Sequence, residues 1–453
     1  MSVFGHADLP DARLNDRLIR LASSLAARPV SSIPQACGPW AQTKGAYRFL
    51  SNPRVSYSQL LESSAQATAR FCGQLTDVLC VQDTTSISLG SRQKTVGLGL
   101  VNDSQDARGC LLHSTLAISE VGVVMGLLDA QSWARDPKTR GKAQERHKRP
   151  FEEKESVKWR RGCQAARLIL SRLPVERRPR PIHVMDREGD IAPVFEDILS
   201  HAENAVVRLK HNRNVVPGSA TVQTKACQAV RAAPLRETLT LEVPRQPGRK
   251  GRKAAVELRA IELTVRSRTA QDLALNLVEV WEPQPPEGAE PVHWLLWTSL
   301  PVKTLDEVLR VVTIYRKRWR IEEVHLALKS GCQVEELQLE SLAALAKVLV
   351  LYLAVAVRIV NLRDRARATP EAPSTDVLTD LEWRVLWAHR IGRRPDSGQA
   401  PPPLREAVMW IGALGGHLNR KRDGLPGVRA LWQGWRDLQL MVAGAAAWAQ
   451  LQA

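Results

Sequence analysis

The sequence predicts an α/β protein with a mixed-sheet core, a β-rich insertion in that core, and helical regions on either side. Three observations predict it. Between residues 72 and 210, short apolar runs bounded by turn residues alternate with helix-spaced segments. Period-two alternation interrupts this order at 211–290. Outside 72–335 the apolar residues are spaced as on helices. The expected division is therefore 1–71, helical; 72–335, the sheet with its insertion at 211–290; and 336–453, helical.

In the first region Leu14, Leu18 and Leu21 are helix-spaced, with Arg13, Arg17 and Arg20 beside them. A second helix carries Ala46, Tyr47, Arg48 and Phe49 and stops before Asn52-Pro53. The sheet opens with the apolar run 78–81, which ends at Gln82-Asp83. Strands follow at 111–118 and 123–128, then a helix over 153–173. Residues 182–185 form a strand that ends at Asp186, 193–201 a short helix, and 205–209 another strand. In the insertion, 238–241 and 256–265 alternate as antiparallel strands do, separated by a basic turn at 249–253. One more strand is expected at 292–300. Thr304 and Glu307 then make a capping box for a helix that runs through Lys329 and stops at Gly331. Helices fill the chain from 336, with proline-rich breaks at 370–374 and 396–403. The Lys/Arg-rich stretch 138–149 reads as a solvated loop suited to an anionic partner.

Composition narrows the partner. Among 453 residues, 64 Lys and Arg stand against 47 Asp and Glu, for a formal charge of +17. Such a balance favours an anionic partner, most often nucleic acid. No run reaches the ~18 apolar residues of a membrane span. The longest, 348–357, reads as a buried core helix. The first nine residues lack the basic and apolar regions of a secretory signal. Seven cysteines without a Cys-x-x-Cys pair fit the reducing cytoplasm and argue against zinc. A metal here would be a hard ion held by carboxylates.

Tyr315, Arg318, Glu322 and Lys329 are spaced by three, four and seven, which on a continuous helix puts them on one face. That face carries an aromatic hydroxyl, two cations and a carboxylate. A solvated stripe with an i,i+4 ion pair between Arg318 and Glu322 would account for it as well. Asp83 and Asp186 each follow an apolar strand, where an Asp is also a common turn or cap residue. With Glu322 they supply three carboxylates. Phosphoryl transfer on DNA commonly uses two divalent ions ~3.5–4 Å apart, and carboxylates suit Mg²⁺ or Mn²⁺.

These residues resemble a known family. The Tyr315, Arg318, Glu322, Lys329 spacing matches the Tyr-Arg-Glu-Lys signature of the IS-four family of bacterial transposases. Gln82-Asp83-Thr84-Thr85-Ser86 and Asp186-Arg187-Glu188-Gly189-Asp190 look like its two aspartate motifs. Gly45-Ala46-Tyr47-Arg48-Phe49, Trp294-Leu295-Leu296 and Arg318 to Glu323 look like its Tn-five branch, and the likeness runs from about Asp11 to Trp435. Leu326 and Leu328 depart from that branch, which has lysine and tryptophan there.

The resemblance implies a ribonuclease-H-like core in which Asp83, Asp186 and Glu322 bind two Mg²⁺ ions, with Mn²⁺ able to substitute. It implies cut-and-paste transposition through a hairpin on the element's end, carried out on double-stranded DNA by a homodimer, with no membrane involved. Tyr315, Arg318 and Lys329 would contact phosphates of the end, and Trp294 would stack on a flipped base. Arg187, Arg208 and Lys210 match basic residues near the end DNA; Arg17 and Arg48 match contacts from the N-terminal region. The C-terminal helices, including Trp432 and Trp435, match a dimerisation region. Two alternatives stand: an end-binding descendant without catalysis, and a related metal-dependent nuclease.

Overall fold

Val78, Leu79, Cys80 and Val81 are all fully buried because their strand, β1 (Asp77–Ser88), is covered on both faces. Leu79 and Val81 join one apolar cluster, Val78 and Cys80 another, as a period of two requires. The computed structural model describes residues 2–29, 32–90, 94–101, 107–136, 149–218, 222–243, 251–266, 272–420 and 423–452. The basic stretch 138–148 and residues 249–250 of the basic turn lie outside them.

β1 is flanked by β3 (Arg108–Ile118), antiparallel, and by β5 (Arg180–Met185), parallel. β3 pairs outward with β4 (Val124–Trp133) and with the short β2 (Gly99–Leu100). β5 pairs in parallel with β6 (Asn204–Arg208). Spatial order is thus β4, β3, β1, β5, β6: an antiparallel half joined to a parallel half, the ribonuclease-H-like arrangement. The first four helices precede it: α1 (Ala12–Ala27), α2 (Ile33–Cys37), α3 (Trp40–Ser51) and α4 (Tyr57–Cys72). Helix α5 (Val157–Ser171) covers β1 and β3, and α6 (Ala192–Ser200) packs beside it. The first turns expected of α5 are instead a separate 3-10 turn at Phe151–Glu153, followed by Lys154 in extended conformation.

The insertion does not form a second layer. Its strands β7 (Asn214–Pro217), β8 (Thr224–Lys225), β9 (Leu235–Val243), β10 (Arg252–Val265) and β11 (Leu273–Trp281) belong to the same sheet. They join it through β12 (His293–Thr298), which pairs with β6 and β11. One short helix, α7 (Ala226–Ala232), packs on this extension.

After β12 come α8 (Leu305–Lys317) and α9 (Trp319–Leu326). The capping box at Thr304 and Glu307 is present, but one uninterrupted helix to Lys329 is not. The α-helix breaks at Arg318 and widens to a π turn over Ala327–Gly331, where Cys332 N–H reaches back five residues to the Ala327 carbonyl at 2.8 Å. Helix α10 (Leu342–Ala368) then crosses the core. It is long and apolar enough to cross a membrane, yet 83% of its most apolar window is buried inside the fold. The buried Lys347 of α10 donates from Nζ to the carbonyls of Leu50 and Asn52, both at 2.9 Å, closing the C-terminal end of α3. The chain ends with α11 (Asp380–Ile391), α12 (Leu404–Leu414) and α13 (Val428–Leu451). Trp435 Nε1 of α13 donates to the Ala26 carbonyl of α1 at 3.2 Å, so the two terminal regions meet.

Gly162 sets the approach of α5 to the sheet. A Cβ there would lie 2.4 Å from Gln82 Oε1 and 2.8 Å from Thr115 Oγ1. Gln82 cannot yield easily: it is fully buried and bonded to His113 and Cys163. Gly162→Ala should therefore destabilise the fold by about 1–3 kcal/mol despite the better helix propensity of alanine. A lowered denaturant midpoint checks this; an unchanged or raised one refutes it.

Candidate active site

Strand β1 carries Asp83 in its interior, opposite Ser114 of β3. The expectation that Asp83 ends the strand is corrected: Thr84, Thr85, Ser86 and Ser88 continue the ladder, since hydroxyl side chains suit a half-exposed strand. Asp186 does follow its strand. β5 ends at Met185, and Asp186 caps the 3-10 turn Arg187–Gly189, accepting from Glu188 N–H at 2.8 Å. The parallel register ends at Val81 and Val184; Asp83 and Asp186 each lie two residues further on, near enough for the charge of Asp186 to act on Asp83. They lie just beyond the carboxyl end of the parallel-paired stretch, where open α/β sheets place their ligand sites.

Glu322 arrives from α9. Arg318 forms the expected i,i+4 ion pair with it and also reaches Asp83, at 3.5 Å from Oδ2. The ion-pair reading and the site reading thus describe the same residues: one guanidinium holds two of the three carboxylates. Burial raises the Asp83 carboxyl to about 6; Arg318 works against that rise, and the charges of Asp186 and Glu322 add to it. Asp83 therefore feels the charge of both other acids.

Among the described residues no three His, Cys, Asp or Glu side chains are drawn together closely enough to hold a metal as placed. Arg318 pairs with both Asp83 and Glu322. The donor set still fits a hard divalent cation: carboxylate oxygens, with His325 turned away to Ser114 at 3.3 Å and held neutral by burial.

Around the acids, Tyr315 is buried against Trp294, edge to face at 5.6 Å between centroids. Burial raises the Tyr315 hydroxyl, while Arg318 and Arg208 lower it. Trp294 is half-buried in the cluster that contains Tyr315; Trp297 is fully buried in another, because an odd spacing puts the two on opposite sheet faces. Arg208 ends β6 and donates to the His293 carbonyl at 3.0 Å. Arg187 is exposed beside Asp186, and Lys210 is exposed just after β6. The buried Asp190 accepts from the backbone N–H groups of Lys210 and His211 at 2.7 and 2.8 Å, which fixes that loop.

Lys329 sits in the π turn and pairs with Glu335 at 3.6 Å rather than with the site acids. The expected single face is corrected here, since a π turn does not keep the α-helical 100° step. Leu326 is exposed and Leu328 fully buried. Arg17 and Arg48 belong to α1 and α3; Arg17 lies against Gly45, where a Cβ would come within 2.4 Å of its Nη1.

Sequence reasoning missed the support behind Asp83. His113 Nδ1 bonds the Thr84 hydroxyl at 2.9 Å, and its Nε2 bonds Gln82 Oε1 at 3.0 Å. Because Gln82 Oε1 only accepts, Nε2 carries the proton and the threonine hydroxyl donates to Nδ1. The signal was a histidine inside the apolar run 111–118.

The ribonuclease-H-like core is the class of fold that nucleases and polynucleotide transferases share. Residues 129–358 match the family model described as transposase DDE domain, half of the chain. That match includes Asp186 and Glu322; Asp83 precedes it. Residues 2–55 match the model for transposase DNA-binding, and 354–451 that for the Tn5 transposase dimerisation domain. The chain belongs to the DDE transposase family and is Tn5-like. Among solved structures, the piggyBac transposase synaptic complex with hairpin DNA, determined by cryo-EM, matches at 9% identity and a TM-score of 0.29. The match covers 77% of this chain, which spans about half (55%) of that one.

Proposed function

We propose that this protein is a cut-and-paste DNA transposase that cleaves and joins DNA with Asp83, Asp186 and Glu322. The observation that supports it most is the meeting of Asp83 and Glu322 on Arg318, with the charge of Asp186 acting on Asp83 from the end of the neighbouring strand. The three acids would hold two Mg²⁺ ions, with Mn²⁺ able to substitute. When bound, the ions would activate the attacking oxygen and stabilise the leaving one. Arg318 and Tyr315 bind phosphate oxygens of the transposon end; Arg187, Arg208, Lys210 and Lys329 hold the flanking backbone. Residues 1–71, with Arg17 and Arg48, recognise the end repeat. Residues 336–453 join two protomers, and 72–335, with the insertion 211–290, forms the catalytic unit.

The test is incubation of the purified protein with Mg²⁺ and a labelled duplex ending in the element's own terminal repeat. Nicks, hairpins and double-strand breaks at the repeat are the expected products. Tight binding without cleavage, with Mn²⁺ also tried, overturns catalysis and leaves an end-binding protein. Cleavage without preference for the repeat leaves a general nuclease.

Trp294 carries the hairpin step in this reading. Its indole rests on Tyr315 at the rim of the acid cluster, where a base turned out of the stack would find an aromatic face. Trp294→Ala should leave nicking intact and reduce hairpin formation by ~5- to 150-fold, the value of one base–aromatic stack of about 1–3 kcal/mol. Equal loss of nicking and hairpin in a gel time course would remove this role.

A further inference from the structure

A second basic cluster gathers at the junction of α8 and α9 with α10. Arg318 turns to Asp83 and Glu322, whereas Arg320, two residues on, turns to a different pair of acids. Glu323 and Asp364 are the carboxylates beside Arg320. Arg320 pairs with them at 2.7 and 3.5 Å, Arg363 lies at 2.5 and 3.4 Å from the same two, and Arg367 at 3.6 Å from Asp364. Two acids are thereby shared among three arginines.

Lys317 and Arg316 add to the surplus. Neither has an ion-pair partner among the described residues. Arg316 is exposed and Lys317 half-buried. The Lys317 stem and ammonium lie over Gly122 in the hairpin between β3 and β4, 3.2–3.4 Å from where a Cβ would stand. The acid of that hairpin, Glu120, is taken up by Arg310 at 2.8 Å. Burial, then Arg320, Arg316 and Arg367, depress the ammonium of Lys317. Five cations thus face two carboxylates, and the fold provides no further anion for them among the described residues.

We propose that Arg316, Lys317, Arg320 and Arg367 bind the phosphate backbone of a DNA duplex other than the one held at the acids. The inference rests on the transposase reading, which requires the chain to hold an end and a target together. Of the guanidinium groups braced by Glu323 and Asp364, Arg367 is half-exposed, and a guanidinium's fixed fork suits phosphate. Arg316 and Lys317 supply the uncompensated charge.

The test is fluorescence anisotropy of the full chain with a labelled duplex of arbitrary sequence across a salt series. Each phosphate contact contributes ~0.9 to the slope of log affinity against log salt. Arg316→Gln/Lys317→Gln should lower that slope by ~2, while Arg390→Gln/Arg405→Gln, with the same loss of net charge, should not. Arg316→Lys/Lys317→Arg should restore it. Should the double glutamine chain fail to fold, the exposed Arg316→Glu alone should lower the slope by ~1. A wild-type slope in the glutamine chain overturns the patch alone. Failure of the wild type to bind duplex DNA overturns the transposase reading and the patch with it.

Discussion

Glu322→Gln abolishes strand cleavage, by ~10⁴-fold or more, and leaves duplex binding intact. The size follows from removing one member of a set that acts as a unit. Glutamine keeps the shape of the side chain and one oxygen acceptor, but not the negative charge that a divalent cation requires. Folding is not at stake. The Glu322 carboxylate is one-third exposed, so its i,i+4 pair with Arg318 is worth no more than about 0.5 kcal/mol. Single-turnover cleavage of an end duplex, with binding followed separately, checks both halves. Cleavage within ~10-fold of wild type would sink the assignment of Glu322 as a metal carboxylate.

The strand and helix order of the core was legible in the sequence because each element carries its own local signal. Residues 78–81 are apolar on both faces, 182–185 are fully buried with His183 as their one polar member, and Asp186 directly follows the second run. Asp83 was harder to place. The apolar signal stops at Val81, but the ladder continues through Thr84, Thr85 and Ser86, since one side of β1 opens towards the site. The insertion read correctly as strands, yet its continuity with the core sheet depends on β12 pairing with both β6 and β11, a long-range choice. The break at Arg318 and the π turn at Ala327–Gly331 carry no glycine or proline at their start, so the 3.6-residue period ran through them unmarked. Charge spacing suggested the Arg318–Glu322 pair. Only the fold could add Asp83 to it, across 235 residues of chain.

That shared guanidinium leads to a prediction in which two readouts move in opposite directions. Arg318 already holds Asp83 and Glu322, so a divalent cation entering between them must separate two ion pairs and tolerate a neighbouring positive charge. Arg318→Gln removes both obstacles. It also removes the charge that favours ionised Asp83 against burial, and the carboxyl then climbs above its present value of about 6. In mildly acid buffer the second effect dominates, because a proton competes for the same oxygens. In alkaline buffer the carboxyl is ionised either way and the first effect wins. There, Mn²⁺ binding to DNA-free protein should tighten roughly 5- to 10-fold, the scale of two partly buried ion pairs. Cleavage should fall nevertheless, because the residue that would hold the end's phosphate is gone. A variant that merely misfolds would lose both. Weaker or unchanged Mn²⁺ binding in alkaline buffer, followed by titration calorimetry, would mean that Arg318 is part of the metal site's support rather than its occupant before the metal arrives.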